Sequence, residues 1–138
     1  MAFTGNYTCD TFKQGLPSGS FNFAAGTTDV FKIALYTNEA TLDSTTAAYT
    51  STGEVSATGY TAGGEVLSPT VSISDGTSFI DFGDVSWSGA FTARGALIYK
   101  DGGAAICVLD FGADRTSDTT FQVQFPANTN TSALIRIS

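Results

Sequence analysis

Residues Ala93–Phe111, ARGALIYKDGGAAICVLDF, read as strand, turn and strand. Ala93 to Lys100 is apolar and β-prone. Asp101-Gly102-Gly103 supplies the positive backbone angles of a tight reversal. Ala105 to Phe111 returns from it, with Ile106, Val108 and Asp110 on one face and Cys107, Leu109 and Phe111 on the other. The same period of two recurs on both sides of this hairpin. Phe121, Val123 and Phe125 alternate with Gln122 and Gln124. In Asp29–Thr37, Phe31, Ile33 and Leu35 alternate with Lys32, Ala34 and Tyr36, which share their side with Val30. Glu65–Ser74 carries Val66, Val71 and Ile73, and Pro69 within it marks an edge strand or a bulge. Asp75-Gly76 is a hairpin signal. Phe79–Val85, the segment around Trp87 and Ala133–Ser138 complete the set. About seven or eight short strands with Gly- and Asp-based turns predict a mostly β protein, an antiparallel β-sandwich or jelly-roll-like fold. The absence of βαβ alternation argues against a parallel sheet.

The composition agrees. The 138 residues include 21 Thr, 14 Ser and 15 Gly, a vocabulary of strands and turns, with 11 Phe, five Tyr and one Trp to fill a core. That length predicts a single domain over 1–138. The expected inward residues are Phe31, Ile33, Leu35, Leu97, Tyr99, Val108, Phe121, Val123 and Phe125. At most one or two short helices are expected. Thr8–Leu16 is the main candidate, with Thr8 or Asp10 as cap, Phe12 and Leu16 on one face, and Gly15 and Pro17 ending it. A helical turn is expected near Ser44–Tyr49. Asn38–Gly64 has few large apolar residues beyond Leu42, Tyr49, Val55 and Tyr60. It is expected to lie outside the core as a long contact loop, because so long a connection is seldom idle. The arm 1–16 carries Phe3, Tyr7, Phe12 and Leu16 and is expected to share in contacts with partner subunits.

The chemistry is sparse. There is no histidine, which removes the commonest general base and metal ligand and makes a conventional triad impossible. Asp81 and Asp84, near Trp87, are the best remaining pair of carboxylates. Asp81 is expected to face solvent beside inward Ile80 and Phe82, and Asp84 to end a strand. Asp110, Asp114 and Asp118 recur at calcium-loop density but lack the alternating ligands and distal Glu of an EF-hand. They read as a charged turn with Arg115 among them. Gly59-Tyr60-Thr61-Ala62-Gly63-Gly64 lacks the lysine of a phosphate-binding loop. The expectation is therefore no catalytic, cofactor-binding or metal site. Cys9 and Cys107 are expected as buried free thiols, with a Cys9–Cys107 bridge as the alternative. The net charge is −7, and Lys13, Lys32, Arg94, Lys100, Arg115 and Arg136 form no cluster, against nucleic-acid binding. No run of 18 apolar residues suits a membrane span. Met1–Asn6 shows no secretory pattern, so cytoplasmic synthesis is expected.

Three blocks carry a resemblance: MAFTGNYTCDTFKQGL over Met1–Leu16; KIALYTNEATLDSTTAAYTSTGEVSATGYTAGG over Lys32–Gly64; and FTARGALIYKDGGAAICVLDFGADR over Phe91–Arg115 with the closing ANTNTSALIRIS of Ala127–Ser138. Together they resemble the small β-rich structural proteins of tailed bacteriophage virions, most of all head decoration or cement proteins. The resemblance implies a non-enzymatic protein, made in the host cytoplasm and seated on the capsid. It would bind the major capsid protein there, as a trimer at three-fold positions, and stabilise the head. The alternatives are a tail, fibre or spike component that recognises glycans through Trp87, Tyr60 and Tyr49, and a small carbohydrate-active enzyme using Asp81 and Asp84.

Overall fold

A computed structural model describes residues 5–24, 29–126, 128–129 and 131–137. In chain order the elements are β1 (Tyr7–Thr8), α1 (Asp10–Gly15), β2 (Phe31–Tyr36), β3 (Glu65–Leu67), β4 (Pro69–Ser74) and β5 (Thr77–Phe82). They continue with β6 (Val85–Ser88), β7 (Thr92–Lys100), β8 (Ala105–Thr116), β9 (Thr120–Val123) and β10 (Ile135–Ile137). All strand pairs are antiparallel. A five-stranded sheet, β1-β8-β7-β2-β3, forms one layer. The second layer is a three-stranded sheet, β10-β5-β4, together with the pair β6-β9. The main core lies between the layers. Phe31, Ile33, Leu35, Ala96 and Ile98 come from the first, and Ile80, Phe82, Trp87, Phe121 and Val123 from the second. The expected β-sandwich is present.

Pro69 acts where the sequence placed it. At Ser68 the chain leaves β3 in one sheet and enters β4 in the other, and β4 is the outer strand of its sheet. The Asp75-Gly76 hairpin also forms, with both residues at positive φ (51° and 78°).

At its centre, over β2, most of β7 and the first residues of β8, the five-stranded sheet is buried on both faces. Leu97, Tyr99 and Val108 are interior as expected, but they point away from the sandwich. They form a second core with Cys9, Ala34, Tyr36, Ala40, Leu42 and Ala105. Much of its cover comes from the 38–64 segment, whose Ala40 and Leu42 are buried in it, while Val55 of the same segment is buried in the main core. The expectation that this segment lies outside the core is therefore wrong. Small and medium side chains suffice because the surface they seal is itself built of small residues and flat rings. Gly64 shows how close the segment comes. A Cβ there would stand 1.8 Å from the Ile33 carbonyl oxygen, and its φ is +82°. In place of the helical turn near Ser44–Tyr49 there is a short turn at Ser44–Thr45, where Asp43 accepts the Thr45 N–H at 2.8 Å, and then a bridge from Ala48 to Ala104.

The N-terminal arm is also part of the fold. Tyr7 and Thr8 pair with Val108 and Cys107. The Cys9 and Asp10 N–H groups donate to Ile106 and Ser44 carbonyls, each at 2.8 Å, and Phe12 is buried. The short helix has Cys9, not Thr8 or Asp10, at its N-cap, with no side-chain capping bond. Phe3 lies outside the described residues.

One irregularity in β8 escapes the period of two. Tyr99 is opposite Ala105 and Ile98 is opposite Cys107, so Ile106 is an extra residue in the strand. Ile106 and Cys107 consequently both reach the main core. Phe121 sits in that core with its ring stacked on Phe91 at 5.2 Å. Phe121→Ala is expected to cost about 3–5 kcal/mol in chemical denaturation, and an unchanged unfolding midpoint would contradict the packing.

Candidate functional site

Asp81 lies on β5 between core residues Ile80 and Phe82, so its side chain leaves the opposite face of the sheet, as expected from the alternation. That face is not open. Asp81 is only 3% exposed, and Ala133, from the segment preceding β10, is buried as well. The Asp81 carboxylate accepts the Phe82 N–H at 3.0 Å and a backbone N–H from Leu134. Burial pushes the carboxyl above its usual range, the two N–H donors pull it back, and the charge of Asp84 raises it again. Asp84, exposed just before β6, accepts the Phe125 N–H at 2.8 Å. The two acids line an open depression of about 400 Å³ with Thr70, Phe125 and Asn128. A carboxyl biased toward its protonated form beside an exposed carboxylate is the raw material of general acid–base chemistry. Here both are engaged as acceptors that tie the chain after β9 to β5. The expectation of a solvent-facing Asp81 fails because strand alternation tells which face a residue leaves, not what covers that face.

The three spaced acids do not gather. Asp110 accepts Arg94 Nε at 3.1 Å and the Gly112 N–H at 2.8 Å. Burial pulls its carboxyl upward, but the Gly112 and Arg94 donors outweigh that and hold it below the usual range. Asp114 accepts from the Asn38 side chain at 3.2 Å. Asp118 is exposed in the β8–β9 connection. Among the described residues no group of three or more potential ligands could hold a metal ion.

The two cysteines lie on opposite sides of one sheet. Thr8 is opposite Cys107, so Cys9 is the next residue along β1's path, yet Cys9 belongs to the outer core and Cys107 to the inner one. Both are free thiols. Burial pushes Cys9 up to about 11 and Cys107 further still, so neither is a ready thiolate.

The aromatic platform is absent from the surface. Trp87 is 2% exposed, with its ring 6.1 Å from Tyr60 and 6.3 Å from Phe121. Tyr49 stacks on Tyr99 at 5.1 Å. The tyrosines converge instead on Glu54. Its carboxylate accepts the Tyr49 hydroxyl at 2.5 Å, the Tyr60 hydroxyl at 2.6 Å and the Gly63 N–H at 2.8 Å. Tyr60 in turn accepts the Leu35 N–H at 2.9 Å. The Tyr99 hydroxyl donates to the Gly63 carbonyl at 2.7 Å, and the Tyr36 hydroxyl to the Thr50 carbonyl at 2.7 Å. Burial first, and then Glu54, raise the Tyr49 phenol to about 12 and move Tyr60 up further. Protonated phenols of this kind donate structural hydrogen bonds. Nothing in the sequence around Glu54 announced this cluster, because its nearby donors form no periodic pattern and the residues that join it to the sheet come from β2 and β7.

A larger open feature lies elsewhere. β8 and β9 are joined by only Ser117–Thr119, yet they splay into different sheets. Between them lies a groove of about 660 Å³, with Phe111, Phe121 and Val123 at its base and Arg115, Gln122 and Gln124 along it. The sequence read Gln122 and Gln124 only as the polar face of a strand.

No protein family, curated protein or solved structure matches this chain. The site must therefore be judged on its own geometry. Asp81 supplies the sharpest check. Its folded carboxyl holds a proton more tightly than the unfolded chain does, so the native state loses stability as pH rises through that interval. Asp81→Asn removes this loss. The variant is expected to gain melting temperature relative to the parent at pH 7, and the gain should shrink below about pH 4, where a carboxyl is protonated in both states. A difference that does not vary with pH would contradict it.

Proposed function

We propose that this chain is a non-enzymatic structural protein of a phage virion. In this reading it is a capsid decoration or cement protein that sits on the capsid surface as a homo-oligomer, binds the major capsid protein lattice and stabilises the head. The observation that carries the reading is where the polar chemistry goes. Asp81, Asp84, Asp110 and Glu54 accept backbone N–H groups, phenols or a guanidinium of their own chain. They spend their bonding on rigidity, which a lattice binder needs, since repeated weak contacts sum only when each copy presents one fixed surface. The three blocks that resemble phage structural proteins support the same reading.

The contact surface needs revision within it. The 38–64 segment and the described part of the N-terminal arm, at Tyr7, Cys9, Phe12 and Leu16, present apolar side chains to their own fold. What they leave for a capsid is their outward Thr, Ser and Asn side chains.

A glycan-recognising tail, fibre or spike component is the second reading. Trp87, Tyr60 and Tyr49 no longer serve it, but the β8–β9 groove offers an aromatic base at Phe111 beside the amides of Gln122 and Gln124. The enzyme reading requires Asp81 and Asp84 to give up the backbone bonds they now accept.

The deciding experiment adds purified protein to phage heads lacking it. Saturable binding across the capsid lattice and a higher temperature of head disruption are expected. Binding confined to tail structures, or glycan binding abolished by Gln122→Ala with no capsid binding, would overturn the cement reading in favour of the second.

A further inference from the structure

Strand β4 is a bare edge. Among the described residues no strand pairs with its outer side. The hairpin register fixes which backbone groups face outward. Ser74 and Thr77 close the two-residue Asp75-Gly76 turn, and the closing pair of such a turn is the hydrogen-bonded kind. Alternation then directs Ser72 and Thr70 toward Phe79 and Asp81 of β5. It turns the N–H and C=O groups of Val71 and Ile73 outward.

The side chains of the same two residues are exposed, Val71 by 47% and Ile73 by 75%. Across the sheet, Val71 aligns with Ile80 and Ile135, and Ile73 aligns with Ser78 and Ile137, itself 45% exposed. Ile80 is in the main core. The two rows are thus the core-side face of this sheet, continued to where the opposing sheet no longer covers it. Proteins that stay monomeric usually blunt such an edge with lysine, proline, an inward charge or a bulge, and in β4 only its first residue, Pro69, does so. Between Pro69 and the hairpin tip, β4 has none of these.

We infer that β4 is a self-association edge, and that its occupant is β4 of a second copy in antiparallel two-fold pairing. Charge selects this partner. The chain carries −7, so two copies repel over most of their surfaces, whereas Pro69–Ser74 has no charged side chain. The strand is also self-complementary. Centred on Ser72, the pairing sets Val71 opposite Ile73 of the copy and the reverse, so the outward groups of both residues make four backbone hydrogen bonds. The two Asp75 residues then lie about 20 Å apart at opposite ends. The apolar rows join across the axis, giving a continuous six-stranded sheet. This inference stands apart from the capsid reading, and two-fold closure differs from the trimer that the resemblance implies.

Sedimentation velocity at about 100 µM, suited to an interface this small, tests it. The expected mass is twice 14.3 kDa. Ile73→Lys and Ile73→Pro should each return the monomer with unchanged circular dichroism and melting temperature. Ile73 is exposed, and the register turns its N–H away from β5. Val66→Lys, on the exposed edge of the other sheet, should leave the dimer intact. Ser72→Cys should cross-link two copies on oxidation, since opposed residues of a non-hydrogen-bonded pair lie about 4.5–5.5 Å apart, within disulfide reach, while Cys9 and Cys107 are buried. A monomeric or trimeric parent overturns the inference. So does a dimer indifferent to both Ile73 substitutions, or one that Ser72→Cys fails to cross-link.

Discussion

Glu54 accepts three hydrogen bonds, from two phenols and one backbone N–H, and the outer half of this protein depends on that convergence. A five-stranded sheet whose strands carry Ala34, Tyr36, Leu97, Tyr99 and Val108 on the side away from the sandwich needs a cover. The connection that lies over it is 38–64, the longest between consecutive elements, and its own apolar content is small. Hydrophobic burial alone holds such a segment weakly. The carboxylate supplies what Ala40 and Leu42 do not, because charge-assisted bonds to phenols are stronger than neutral ones. Tyr60 extends the tie to the Leu35 N–H of β2, and Tyr99 extends it from β7 to Gly63. The segment is thereby bonded to the two central strands of the sheet that it covers.

The second layer uses the same device at smaller scale. Asp81 and Asp84 hold the chain around Phe125 and Leu134 against β5, with backbone N–H groups as donors. Arg94 and Gly112 occupy Asp110 where β8 departs from regular pairing. In each case a carboxyl group gives irregular backbone or a neighbouring side chain a hydrogen-bond partner that packing alone would not supply. Trp87 Nε1 is the exception, a buried donor without a partner among the described side chains, and we have no physical account of it.

The strands were legible because alternation is a local signal. Phe31-Ile33-Leu35 and Phe121-Val123 report their face in six or fewer residues, and Pro69 and Asp75-Gly76 report where the chain turns. What the sequence did not reveal is what lies above each face. Leu97 and Tyr99 are as apolar as Phe31, so nothing in their pattern distinguishes a second core from the first. Asp81 reads as exposed because its alternation is correct and its cover comes from residues about 50 positions later. Ile106 reads as facing away from Cys107 because a bulge is invisible to a period of two. The Glu54 cluster was illegible for a related reason: its own donors Tyr49, Tyr60 and Gly63 are near neighbours in sequence, but no periodic pattern marks them, and the links to Leu35 and Tyr99 that tie them to the sheet join distant segments.

The claim that 38–64 is a pinned cover is tested most directly by hydrogen exchange on Glu54→Ala, read by mass spectrometry alongside the parent. The account predicts faster exchange throughout 38–64 and in β2 at Leu35, with a stability loss of about 2–4 kcal/mol from the stranded phenols. Protection in 38–64 equal to that of the parent would contradict it, and would mean that packing of the small residues alone holds the cover in place.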